Sequence, residues 1–249
     1  MPQDAPKIRL HLDAQLREGT TVALEREQAN YLAAVMRLGP GARVVVFNAH
    51  DGEWLAEAGA LSKRAGELSI LERTRPSAPP PDLWLLFAPI KKARTDFIVE
   101  KACELGCRKV VPVFTALTNS ERVNTERLRA HMIEAAEQCG LVWVPEMAEP
   151  AKLDALLVDW PADRRLLFCN ERGGEPVAAA LARAAAAPAA SWAVIVGPEG
   201  GFTEAEAARL AALPGALGVS LGPRILRADT AAVAAITLWQ AALGDWSGG

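Results

Sequence analysis

The rhythm of hydrophobic and polar positions changes once along the chain. Up to residue 75, apolar residues come in short runs with partial alternation, at 7–12, 21–24, 43–47, 53–61 and 68–72. Turn signals separate the runs: Arg17-Glu18-Gly19, Gly39-Pro40-Gly41, Asp51-Gly52 and Arg64-Ala65-Gly66. One helical pattern interrupts them over about 25–37, with Ala29, Leu32, Ala33 and Met36 on one face. Five short strands and one helix predict a small β-barrel. Pro76, Pro79, Pro80 and Pro81 then make a stiff, extended linker over 76–82, which marks a domain boundary.

Beyond the linker, near-continuous apolar runs alternate with helical patterns. The runs at 83–88, 109–114, 142–144, 165–169, 192–196 and 217–221 read as strands. Helices are expected at 94–106, 124–139, 151–158, 176–187, 203–213 and 228–243. Such alternation predicts an α/β domain with a parallel sheet covered on both faces. Thr203 and Glu206 form a T-x-x-E capping box opening one helix. No internal repeat is visible.

Composition narrows the function classes. The chain has 249 residues, 51% hydrophobic and 23% charged, which excludes a disordered chain, a collagen-like fibre and a small disulfide scaffold. A net charge of −3 excludes a globally basic nucleic-acid binder, but not a local basic face. Cys103, Cys107, Cys139 and Cys169 contain no C-x-x-C pair, so neither a zinc ribbon nor a thioredoxin-type motif is present. Cys103 and Cys107 read as small buried hydrophobes in a reducing cytoplasm. The N-terminal MPQDAPKIRLHL has no apolar core, so no signal peptide is expected. The weakly polar stretch 177–196 carries Arg183 and Pro188 and fits a helix followed by a strand better than a membrane span.

Two loops carry the strongest chemical signal. GPEGGF at 197–202 follows an apolar strand and precedes the capped helix. Its bare backbone N–H groups could approach a ligand closely, and Glu199 adds one acceptor. It matches neither a P-loop nor G-x-G-x-x-G, and a tight strand-to-helix turn explains it equally well. LGPRILRADTA at 221–231 occupies the same kind of position, with Arg224 and Arg227 bracketing Ile225-Leu226. Asp229 or Thr230 could cap the next helix. Ligand crevices in α/β sheets lie beyond the strand carboxyl ends, where Cys169-Asn170-Glu171 supplies a third segment. Lys91, Lys92, Arg94 and Lys101 form the densest positive cluster. They suit phosphate contacts or a solvated helix start, although cations at a helix N-terminus oppose the macrodipole. Glu134, Glu137 and Gln138 share one helix face and read as a surface, a partner for the basic cluster or a dimer contact. His11, His50 and His131 lie far from the glycine loops in sequence, and no metalloprotease or serine-hydrolase motif occurs.

GPEGGFTEAE at 197–206 followed by LGPRILRADTA at 221–231 resembles one family over nearly the whole chain. It is the bacterial 16S ribosomal RNA uridine-N3 methyltransferase family, RsmE type, within the SPOUT class. Further matches are YLAAVMRLGPGARVVVFNAHDGEW (31–54), KKARTDFIVEKACELG (91–106) and SERVNTERLRAHMIEAAEQC (120–139). The resemblance implies a PUA-like RNA-binding β-barrel at 1–75 and a SPOUT methyltransferase domain with a trefoil knot at 83–249. It implies S-adenosylmethionine as cofactor, the small ribosomal subunit as partner, a homodimer, and neither membrane nor metal. Carried over by motif, Gly197, Pro198, Glu199, Gly200 and Gly201 would form one cofactor loop, and Leu221, Gly222, Ile225 and Leu226 the other. Cys169 and Glu171 would close the pocket. Arg227 would meet the target uracil, with Glu199 as a second catalytic candidate. Arg37, Lys91, Arg94, Lys101 and Arg224 would contact RNA.

The sequence departs from the family at one point. An E-Q-x-x-R pattern is usual after the third helix start, and Leu141 stands here in place of the Arg. This keeps a non-catalytic RNA-binding or ribosome-assembly factor in view. A nucleotide- or phosphate-binding enzyme is disfavoured, since no Lys or Ser/Thr follows the glycines at P-loop spacing.

Overall fold

The computed structural model describes residues 6, 8–120, 122–170, 173–186 and 191–246. The chain divides into two compact units: residues 1–79 with 136–144, and residues 80–135 with 145–249.

The first unit is built on five strands: β1 (Arg9–His11), β2 (Thr21–Ala23), β3 (Arg43–Asn48), β4 (Gly52–Leu61) and β5 (Gly66–Arg75). They form a mixed sheet in the order β1-β3-β4-β5-β2, with β1 and β3 parallel and the other pairs antiparallel. The β-branched run Val44-Val45-Val46 suits a pleated, half-buried surface, and Val44 and Val46 join Ala56, Ala58, Leu68 and Ile70 in the core. Gly52 opens β4 at φ +85, and a Cβ there would collide with the backbone of Arg75 and Pro76.

The helix expected over 25–37 is α1 (Arg26–Asn30), capped by a Glu25/Gln28 box, and it widens into a π turn at Tyr31–Val35. Met36 N–H reaches back to Tyr31 O, and the chain leaves through Arg37 at φ +55. Hydrophobic period alone carries no signal for an i→i+5 bond, so the sequence shows the buried face (Ala29, Leu32) and misses the π turn.

A buried carboxylate braces this unit. Glu53 accepts from Thr74 Oγ1 at 2.8 Å and Arg75 Nε at 2.9 Å, and pairs with Arg9 as well. Both arginines also donate to the chain after the third helix of the protein, Arg9 to Leu141 O and Arg75 to Gly140 O, each at 2.7 Å. Burial would raise the Glu53 pKa. The hydrogen bonds from Arg75, Arg9 and Thr74 outweigh it and hold the carboxyl down at about 2.

The second unit is a wholly parallel sheet. Its strands are β6 (Asp82–Phe87), β7 (Lys109–Phe114), β8 (Glu146–Met147), β9 (Ala151–Lys152), β10 (Arg164–Cys169), β11 (Glu175–Pro176), β12 (Ser191–Val196) and β13 (Leu217–Ser220). The order is β11-β13-β10-β12-β6-β7-β8, with β9 also on β7. The helices are α2 (Lys92–Glu104), α3 (Thr125–Cys139), α4 (Leu153–Val158), α5 (Val177–Ala185), α6 (Glu204–Ala211) and α7 (Ala228–Leu243).

Alternate residues of each central strand face opposite layers. Ala193 and Ile195 join Leu86, Val111, Leu166 and Phe168 in a core with Phe202 and Leu210. On the other face Trp192 meets Trp239 of α7 edge to face, centroids 6.3 Å apart. Cys103 and Cys107 are buried; burial pushes the Cys107 thiol well up, and the Cys103 thiol donates to Met132 O at 3.3 Å. The expected strand at 142–144 is absent. That segment counts with the first unit, and the pairing strand is the two-residue β8 a little further on. β8, β9 and β11 are too short for periodicity to register. The stretch 177–196 resolves into α5 and β12, and among the described residues no helix is long and apolar enough to cross a membrane.

The amino edge of this sheet is tied by Arg164. Its guanidinium donates to Asp82 Oδ2 and to Trp192 O, both at 2.8 Å, and lies 3.6 Å over the Trp84 ring. Burial would raise the Asp82 carboxyl, but Arg164, with Ser191 beside it, lowers it below the usual range.

The depressed Glu53 pKa fixes an acid limb. Its contribution to stability is complete above about pH 4.5 and is lost as the pH falls towards about 2. Glu53→Gln, which leaves two guanidinium groups without their carboxylate, is expected to cost about 3 kcal/mol at neutral pH and to flatten that limb. Denaturant unfolding followed between pH 7 and pH 2 checks both effects.

Candidate active site

Three parallel strands end level at the carboxyl edge of the second unit. Phe168 of β10 pairs with Ile195 of β12, and Cys169 pairs with Val219 of β13. The segments that leave them, 169–170, 197–203 and 221–227, therefore emerge side by side. Together they line a cleft that is open on one side.

The first wall is the glycine loop. Pro198 O accepts the N–H of Gly201 at 2.9 Å, closing a tight turn in which Gly201 takes φ +69. A left-handed residue at that position favours glycine. Gly197 is required for space: a Cβ there would lie 2.9 Å from the Phe202 ring. Phe202 is 7% exposed and packs edge to face on Phe168, with centroids 5.2 Å apart. Glu199 is exposed at the turn. α6 then begins with the expected box, Glu206 N–H on Thr203 Oγ1 at 3.2 Å and Thr203 N–H on Glu206 Oε2 at 2.9 Å.

The second wall is the loop after β13. Ser220 Oγ donates to Gly222 O at 3.2 Å and accepts the Gly222 N–H at 3.3 Å. Gly222 takes φ +120, and no atom would lie within 4 Å of a Cβ there. Ile225 is 83% exposed. Arg227 is the N-cap residue of α7, with an extended backbone and an exposed side chain, and its carbonyl takes the Ala231 N–H at 2.8 Å. Asp229 lies inside the first turn rather than at the cap. It is buried and ion-paired with Arg94 of α2. Its second oxygen takes the Thr230 N–H at 2.9 Å. An acidic side chain in the first turn also complements the helix dipole.

Of the residues singled out in the sequence, Cys169, Gly197, Pro198, Glu199, Gly201, Leu221, Gly222, Arg224, Ile225 and Leu226 line the cleft. Gly200 sits in the same loop with its back to Leu117, and Arg227 stands next to the lining residues Leu226 and Ala228. Glu171 lies outside the described residues. Asn170, Val196, Phe202, Val219, Ser220, Pro223, Ala228 and Ala231 also line it. Phe202, Pro223, Ala228 and Ala231 lie inside the two motifs and Asn170 in the third segment, whereas Val196, Val219 and Ser220 belong to the strands that lead into them.

The proposed phosphate contacts divide. Lys91 is the exposed N-cap of α2 and Arg224 is exposed on the cleft rim. Arg94 is engaged by Asp229, and Lys101 pairs with Glu104 at 2.6 Å, 5.4 Å over the Phe97 ring. Arg37 belongs to the first unit, where it is exposed. Glu137 takes the His11 N–H at 2.9 Å, whereas Glu134 and Gln138 are exposed.

The cleft has little acid–base apparatus. Burial pushes the Cys169 thiol up to about 12, so it stays protonated and is no nucleophile at neutral pH. No histidine lines the cleft, and among the described residues no cluster is placed to hold a metal ion. Among the described residues the walls offer main-chain donors and acceptors, apolar side chains, and one acidic and one basic side chain, Glu199 and Arg224. Such a site binds and orients a ligand rather than attacking it.

Residues 77–240 match the RNA methyltransferase domain family, and residues 24–71 match the RNA methyltransferase PUA domain family. The chain is thus an RNA methyltransferase with a PUA domain, and the cleft lies within the methyltransferase match. The chain is 30% identical to ribosomal RNA small subunit methyltransferase E of Rickettsia conorii, over 92% of this chain and 93% of that protein. Its fold is shared by a methyltransferase from Legionella pneumophila solved with bound SAM (TM-score 0.83, 26% identity, covering 96% of this chain and 98% of that one). It is shared also by ribosomal RNA small subunit methyltransferase E from Neisseria gonorrhoeae bound to S-adenosyl methionine (TM-score 0.81, 28% identity, covering 96% and 99%). The chain belongs to the ribosomal RNA small subunit methyltransferase E family.

The two glycines behind the turn should differ in tolerance. Gly197→Ala forces Phe202 aside and is expected to destabilise by about 1–3 kcal/mol. Gly200→Ala, whose Cβ would meet Leu117 at an ordinary 3.4 Å, is expected to cost less. Chemical denaturation of the two variants checks the order.

Proposed function

We propose that the protein transfers the methyl group of S-adenosylmethionine to N3 of a uridine in 16S ribosomal RNA of the small subunit. The observation that carries this reading is the backbone-lined cleft between the two glycine loops, in a chain of this family. The cleft residues fit the cofactor. Gly222 leaves open space where a side chain would stand, main-chain groups can pair an adenine edge, and Leu221, Ile225 and Leu226 supply apolar surface. The cofactor-holding set is Cys169, Glu171, Gly197 to Gly201, Leu221, Gly222, Ile225 and Leu226. When bound, the cofactor supplies a methyl group activated on a sulfonium.

The chain's own residues do the rest. The loop walls align the two reactants, and alignment provides much of the rate. Methylation at N3 also requires the imide proton to leave. If the imide pKa lies about two units above the pH, ionisation costs roughly 2.7 kcal/mol. Arg227 offsets that cost by facing a uracil carbonyl oxygen as negative charge develops on it. Glu199, an acidic side chain lining the cleft, receives the proton. Lys91, Arg224 and Arg37 are exposed cations suited to RNA phosphates. Arg94 and Lys101 serve only if they exchange their carboxylate partners for phosphate.

The same reading carries a finer architecture: residues 1–75 as a PUA-like RNA-binding β-barrel, 76–82 as linker, and 83–249 as a SPOUT domain. The chain around the two loops would form a trefoil knot, and two knotted domains would pair as a homodimer in the cytoplasm. The strand order β13-β10-β12-β6, with each strand parallel to its neighbours, supports a SPOUT-type core.

Small subunits lacking the modification, incubated with labelled S-adenosylmethionine and the protein, should yield labelled N3-methyluridine on nucleoside analysis. Absence of label despite cofactor binding would leave an RNA-binding factor without this activity. Arg227→Ala should keep cofactor affinity within about twofold and lower kcat by about 10²–10³. Affinity lost in proportion to turnover would reassign Arg227 to cofactor binding.

A further inference from the structure

The capping box that opens α6 has a second role. Glu206 is 8% exposed, and only one of its carboxylate oxygens is used at the helix start. Oε2 takes the Thr203 N–H at 2.9 Å and the Thr203 hydroxyl at 3.0 Å. Oε1 turns the other way and takes the backbone N–H of Ala116 at 2.7 Å, a residue 90 positions earlier. Ala116 lies in the turn that follows β7. That turn is closed by Thr118 N–H on Thr115 O at 3.2 Å and Thr115 N–H on Thr118 Oγ1 at 2.9 Å. The next residue, Leu117, covers the back of the glycine loop, its side chain 3.4 Å from where a Gly200 Cβ would stand.

A helix cap alone explains neither the Ala116 bond nor its burial. A T-x-x-E box needs only the reciprocal Thr203–Glu206 pair. The 197–203 loop is rich in glycine and has little side-chain packing of its own apart from Phe202. Such a loop loses more conformational entropy on ordering than an ordinary one. A charged acceptor fixed between two loops removes that freedom before a ligand arrives, and charge-assisted bonds to backbone N–H groups are among the stronger ones.

We infer that Glu206 is a positioning residue for the cleft: its carboxylate braces the glycine loop 197–203 against the turn 115–118. This inference rests on the cofactor reading above. It adds that the glycine loop is held in its binding shape from behind, by a residue that does not line the cleft.

The brace can be cut without touching the cap. Ala116 is the second residue of a β-turn, where proline is well accommodated, and Ala116→Pro removes the N–H that Glu206 accepts. Ala116→Gly keeps that N–H and serves as control. Glu206→Gln retains one acceptor oxygen and cannot serve both loops. Ala116→Pro and Glu206→Gln are expected to raise the KM for S-adenosylmethionine about tenfold with kcat much less affected. In the ligand-free protein both should speed hydrogen–deuterium exchange over 197–203, with Ala116→Gly close to wild type in both readouts. Thr203→Ala, which weakens the cap, should lower the melting temperature more than it raises KM. Wild-type KM and wild-type exchange in Ala116→Pro and Glu206→Gln would overturn the brace. A wild-type protein that binds no S-adenosylmethionine would instead overturn the functional reading, while the exchange measurement still decides the brace.

Discussion

The second unit depends on β12 being flanked by parallel strands on both sides. β10 and β6 each pair with it over five or six residues in continuous register. Strands buried on two faces and paired on two edges have no freedom to slip, because a one-residue shift would exchange Trp192 for Ala193 across the two cores. That fixed register sets where β10, β12 and β13 stop. It brings the two glycine motifs and the Cys169 segment to one edge. The cleft is a consequence of strand register before it is a consequence of any individual side chain.

Polar groups follow a division of labour between the two sheet edges. At the amino edge, Arg164 and Ser191 both donate to Asp82, and the guanidinium stacks on Trp84. These charges are spent on structure. At the carboxyl edge the side chains are mostly small or apolar, and the main chain of the loops is what faces the opening. A ligand with many hydrogen-bonding edges and an apolar face suits such walls, because backbone groups cannot rearrange as long side chains do. Arg94 illustrates the boundary between the two uses. It belongs to the basic cluster in sequence, yet its partner is Asp229, and the pair fixes the start of α7 immediately after the loop that carries Arg227.

At position 141 the side chain is Leu, and it is the backbone that has a defined task. Its carbonyl, with that of Gly140, accepts from the two arginines that surround Glu53. Residues 136–144 accordingly count with the first unit although they lie deep inside the sequence of the second. Any residue at 141 can offer the carbonyl, so this network makes no demand on the side chain there.

The sequence by itself determined the alternation of elements, the change of period at the proline run, the Thr203–Glu206 box and the two loops that carry chemistry. These are local properties: spacing, turn residues and capping act within a few positions, and α7 spans the 228–243 that the pattern marks. Only the tertiary structure decided that Arg94 meets Asp229, that Glu137 takes the His11 N–H, that Glu206 reaches Ala116, and that Phe202 leaves no room beside Gly197. It also decided the π turn after α1 and the membership of 136–144. Each of those contacts joins residues distant along the chain, or depends on space left by neighbours, and periodicity holds no information about either. The motifs named the loops, and the parallel register brought them together.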